Sequence, residues 1–96
     1  MKRLNIIGPE VKKLRNRRGW SQSELAMELY VDGMDFATRG KICKIEAREV
    51  RVSDEDLFYL SRALGVPADD LYPEKIRNAK NAHAAIAAAK ASRHGI

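Results

Sequence analysis

Between residues 38 and 51 the chain places the bases Arg39, Lys41, Lys44, Arg48 and Arg51 around Ile42 and Ile45. Two isoleucines three apart share one face of a helix. With that face inward, Arg39, Gly40, Cys43 and Lys44 turn outward, and Thr38 stands at the N-cap. An outward basic stripe at a helix start suits nucleic-acid chemistry. An arginine can donate two hydrogen bonds to guanine O6 and N7, and Lys41 and Lys44 can reach phosphate or base. Gly40 inside a helix costs roughly 1 kcal/mol against alanine. It either admits close approach of the backbone to DNA or marks a helix that begins after Thr38. The same charges also fit a face that meets only solvent.

The elements that would carry these residues are helical. Gly8-Pro9-Glu10 puts proline and an acid at a helix start, Val11 and Leu14 fall on one face, and Gly19 fits the C′ position. The spacing predicts a first helix over 9–18. Ser21-Gln22-Ser23-Glu24 is a capping box, followed by Leu25, Ala26 and Leu29, so a second helix is expected over 22–30. Asp32-Gly33 signals a turn. The third helix is expected over 38–47. Ser53-Asp54-Glu55-Asp56 caps a fourth with Leu57, Leu60 and Leu64 on its face and Gly65 at its end. Pro67 to Leu71 reads as one further helical turn. Five short helices make an all-α domain over 1–74, and 75–96 is a basic, Ala-rich C-terminal tail with strong helix propensity. That tail suits fraying, docking on a second subunit, or laying its bases on DNA.

Composition agrees with one small domain. In 96 residues, 18 Lys and Arg face 13 Asp and Glu for a net +5, and 45% of residues are hydrophobic. The charge is segregated. Residues 1–20 sum to +6, residues 53–74 to −5, and the tail 75–96 to +5. This pattern suggests one face for an anion and another turned away. No apolar run approaches the roughly 20 residues of a membrane span, and the apolar stretch near the start is too short for a signal sequence. Cys43, the only cysteine, has no partner for a disulfide, so a reducing cytoplasm is the expected setting. It reads as a small side chain or as a redox-sensitive thiol beside two lysines. His83 and His94 have no carboxylate or thiol neighbours, so no metal is expected. Trp20 and Tyr30 read as packing residues of the core or its rim. No nucleophile–base pair, carboxylate dyad or glycine-rich phosphate loop is present, so neither enzyme chemistry nor a cofactor is expected.

Three stretches in order resemble a known family. Val11-Lys12-Lys13-Leu14-Arg15 followed by Gly19-Trp20-Ser21-Gln22-Ser23-Glu24-Leu25-Ala26 is similar to the opening of phage repressor and Cro (XRE-type) helix-turn-helix domains. Ile42-Cys43-Lys44-Ile45-Glu46 resembles the core of their recognition helix. Leu57 to Leu71 is similar to their closing helices. The likeness spans roughly residues 9–72. It implies a five-helix, lambda-repressor-like domain whose third helix enters the major groove of double-stranded DNA. It further implies that Gln22 touches the phosphate backbone or a nearby base, and that Arg48 and Arg51 lie on the backbone. Arg15 and Glu46 match family positions that form a buried ion pair, although an arginine there could also grip phosphate. The departure is a connection of 30–37 about six residues longer than the family pattern, with Met34 or Phe36 expected to anchor it.

The resulting expectation is a sequence-specific transcriptional regulator, a repressor acting as a homodimer on a near-palindromic site. The alternative is an antitoxin-type interaction module that binds a toxin partner and represses its own operon. Short length and an appended tail suit that alternative as well.

Overall fold

A computed structural model describes residues 3–79 of the chain, and among them all regular structure is helical. The helices are α1 (Gly8–Arg17), α2 (Gln22–Val31), α3 (Arg39–Glu46) and α4 (Asp54–Leu64), followed by a 3-10 turn (Ala68–Leu71). Each lies within one residue of its expected bounds. Residues 74–79 are helical again, and what was expected of the tail from residue 80 onward lies outside the described residues.

The starts follow local chemistry. Ser21 accepts the Glu24 N–H at 3.1 Å while the Glu24 carboxylate accepts the Ser21 N–H at 3.1 Å. Ser53 and Asp56 make the same reciprocal pair, and Thr38 accepts the Lys41 N–H at 3.1 Å. Each such cap is worth about 1 kcal/mol. The helix ends share one device. In each helix the last turn closes through paired backbone bonds, such as Gly19 N–H to Asn16 O and Trp20 N–H to Arg15 O. This is the Schellman arrangement, which needs one residue in the left-handed region. Gly19, Gly33 and Gly65 supply it after α1, α2 and α4, but after α3 the residue is Arg48, at φ 64°. The residue that follows each glycine turns back onto the core: Trp20, Met34 and Val66.

Helices of 8 to 11 residues are marginal alone, so packing must hold them. Val11 and Leu14, Leu25 and Leu29, Ile42 and Ile45, Leu60 and Leu64, and Leu71 converge on one core, joined by Ile7 and Met34. Burying each large side chain contributes about 2 kcal/mol. Met34 is therefore the anchor of the α2–α3 connection, while Phe36 is 85% exposed and anchors nothing. Tyr30 also lies outside the core, 66% exposed, because Leu25, Ala26 and Leu29 occupy the inward face of α2. Trp20 packs at the rim, with the Arg18 guanidinium 5.1 Å from its ring centroid.

The start of α1 rests on the end of α3. A Cβ at Gly8 would collide with the carbonyl oxygen of Ile45 and come within 2.9 Å of that of Glu46, neither of which can move without the helix. Gly8→Ala should therefore destabilise the fold by about 2 kcal/mol, read from urea unfolding. An unchanged midpoint would mean that this helix contact is looser than described.

Candidate nucleic-acid interface

Three helices meet at one buried ion pair. The Arg15 Nε and Nη2 groups donate to the two Glu46 carboxylate oxygens at 2.7 and 3.0 Å, a bidentate geometry. The Arg15 Nη1 donates to the Trp20 carbonyl at 2.7 Å, and the Gln22 amide donates to Glu46 Oε1 at 3.1 Å. The end of α1, the first turn of α2 and the last turn of α3 are thus tied through one carboxylate. Side-chain exposure is only 10% for Arg15 and 4% for Glu46, so the pair is structural rather than a surface contact. Hydrogen bonding to Glu46 raises the Arg15 pKa above the ordinary arginine value, against the lowering effect of burial. Because the folded value is the higher one, Arg15's contribution is intact below the ordinary arginine range and is lost only above it.

The pair and the core fix the rotation of α3. Ile42 and Ile45 are fully buried, so the opposite face carries Arg39, Gly40, Cys43 and Lys44, all exposed, with Thr38 exposed at its start. The helix has one acid, Glu46, and it is turned inward against Arg15. The outward face is therefore cationic with no carboxylate of its own. A Cβ at Gly40 would meet nothing nearer than Thr38 Oγ1 at 3.8 Å, so no contact among the described residues requires glycine there.

Other candidate residues separate from this face. Lys41 lies beside Ile45 one turn on, and its Nζ reaches Asp56 Oδ1 at 3.3 Å, bridging α3 to the first turn of α4. Gln22 is half-buried against Glu46, which makes its amide an orienting group between α2 and α3. Arg48 is half-buried as well. Its Nε donates to the Asn5 carbonyl at 2.6 Å, and its own carbonyl accepts the Leu4 N–H at 3.0 Å. It holds the N-terminal segment across the end of α3. Arg51 is exposed. Arg18, which could favour the end of its own helix, instead donates to the Leu64 carbonyl at the end of α4 at 3.1 Å.

Asn5 is a positioning residue that the sequence reading passed over. Its amide donates to the Ile45 and Val50 carbonyls at 3.1 and 2.9 Å, and its side-chain oxygen accepts the Gly8 N–H at 2.9 Å. It satisfies the start of α1 and the end of α3 together. The available signal was the spacing, an Asn three residues before a helix start.

Most of the acids after α3 gather on the closing elements. Asp54, Glu55 and Asp56 crowd the first turn of α4, and Asp69 and Asp70 follow in the 3-10 turn. Among the described residues, no group of His, Cys, Asp and Glu is placed to hold a metal ion, and no helix is long and apolar enough to cross a membrane. Comparison of the chain with family models, curated proteins and solved structures found no match.

Proposed function

We propose that the chain is a sequence-specific double-stranded-DNA-binding regulator, a repressor built on the helix-turn-helix arrangement of phage repressors and Cro, with α3 as the reading helix. The observation that carries this reading is the outward face of α3. Arg39, Gly40, Cys43 and Lys44 share it without an acid, on a helix whose rotation is fixed by two buried isoleucines and a bidentate ion pair. An α-helix with its side chains is roughly 10–12 Å across, which a major groove about 12 Å wide admits, and the eight residues of α3 extend about 12 Å along it. A face that only met solvent would more commonly mix both signs, as exposed Asp54, Glu55 and Arg62 do on α4.

In this reading Arg39 addresses a guanine, Lys44 addresses base or phosphate, and Thr38 and Arg51 lie towards the sugar–phosphate backbone. Gln22, Lys41 and Arg48 act at one remove, setting the pose of α3 against α2, α4 and the N-terminal segment. Binding as a two-fold pair would place half-sites about one helical turn apart, roughly 34 Å, and repression would follow from occupying a promoter.

Gly40 gives a test that separates function from stability. Gly40→Ala should raise stability by about 0.5–1 kcal/mol, since the added methyl has room and alanine favours the helix. It should also weaken DNA binding, because the methyl would stand between the helix backbone and the groove. Equal affinity for the two proteins would remove Gly40 from the interface. The reading as a whole is tested by titrating the chain with duplex DNA at two salt concentrations. A complex that weakens steeply with salt is expected. No complex, or one indifferent to salt, would overturn it.

A further inference from the structure

We infer that the outer face of α2 is a docking site for the basic segment 80–96 of a second copy of this chain. Met27, Tyr30 and Val31 are 63%, 66% and 73% exposed and stand one helical turn apart on the same face of α2. Phe36, 85% exposed, projects from the connection that follows, in the left-handed region at φ 59°. These are four of the seven large exposed hydrophobics among the described residues, gathered on one element and its loop. Between α2 and the start of α3 runs a shallow groove of about 210 Å³, lined by Ala26, Met27, Tyr30, Ala37, Thr38 and Arg39.

The charges around this apolar surface select its occupant. Glu24 and Glu28 lie beside Met27 and Val31 on α2, and Asp35 precedes Phe36, all of them exposed, against one base, Arg39, at the α3 end of the groove. These acids repel DNA phosphate, and they repel a second copy of the same face across a two-fold axis. They suit a cationic, apolar segment. Residues 80–96 carry Lys80, Lys90 and Arg93 and no acidic side chain, with Ile86 and Ile96 among alanines. Alanine methyls fit a shallow groove, and the two isoleucines supply larger apolar contacts.

A second copy is favoured over the chain's own segment by where that segment departs. It follows the 3-10 turn, which packs on α1 and α4, and Arg77 pairs with Asp70 of that turn at 3.7 Å. α2 packs chiefly on α3 and α4, whereas the segment leaves from a turn seated on α1 and α4, so a neighbouring copy reaches the exposed face of α2 directly. The groove ends at Thr38 and Arg39, so it meets the proposed DNA face there, and the test contains no DNA so that it is read independently of that face.

The full chain is prepared in two forms. One is Cys43→Ser/Ser92→Cys with a nitroxide on the new cysteine, and the other is unaltered and labelled with 13C at its methionine methyls. In the mixture, the Met27 methyl signal should lose most of its intensity, more than that of buried Met34. Glu28→Lys/Asp35→Lys in the 13C-labelled form should restore the Met27 signal. An unchanged Met27 signal in the mixture would overturn the inference. Broadening absent from the mixture but present in a third form that carries nitroxide and 13C label on one chain would overturn it equally, as an intramolecular contact.

Discussion

Glu46→Ala is expected to lower the unfolding free energy by about 3–5 kcal/mol, because it strands a buried guanidinium. Arg15 loses both of its carboxylate bonds and keeps only the Trp20 carbonyl, in a site where its side chain is 10% exposed. The Gln22 amide loses its acceptor at the same time. For a domain of this size each kcal/mol moves the thermal midpoint by roughly 4–8 °C, so the midpoint should fall by more than about 10 °C. Glu46→Gln should cost less, since an amide oxygen still accepts one guanidinium bond. Thermal unfolding followed by circular dichroism reads both variants. A midpoint for Glu46→Ala within error of the parent would show that Arg15 finds water or another acceptor, and that the three-helix tie is dispensable.

Arg39→Ala should act on binding and leave the fold alone. The side chain is exposed and the structure gives it no contact that supports another element, so stability should change by less than about 0.5 kcal/mol. Affinity for the preferred duplex should fall by about 1–3 kcal/mol, on the order of tenfold to hundredfold, as expected for a lost bidentate contact with guanine. Affinity for random duplex should fall far less, because that binding rests on phosphate charge summed over many residues. Arg51→Ala, on the backbone side of the proposed interface, should weaken both duplexes to a similar degree. If Arg39→Ala also weakens both equally, Arg39 touches phosphate and sequence is read by other residues.

Much of the fold was legible because its punctuation is local. Ser21 with Glu24, Ser53 with Asp56, Thr38 before its helix, and Gly19 and Gly65 after theirs act through neighbours within a few residues. Helical periodicity separated Ile42 and Ile45 from the outward face in the same way. The Arg15–Glu46 pair spans 31 positions and was legible only through the family likeness joined to the facing of two helices. What escaped the sequence depends on how helices rotate against each other. The bond from Lys41 to Asp56 and the turn of Gln22 towards Glu46 arise from packing between elements, which periodicity within one element does not encode. The left-handed Arg48 escaped for a different reason. That position usually calls for glycine, and here bonds with Leu4 and Asn5 hold an arginine in it.

If α3 is the reading helix, its outward face meets DNA. Amide chemical shifts recorded while a selected duplex is added to the isotope-labelled chain test this residue by residue. The largest changes are expected at Arg39, Gly40, Cys43 and Lys44, with Glu55 and Phe58 on the outer side of α4 nearly still. Changes centred on α4, with those α3 amides unmoved at saturating duplex, would contradict it.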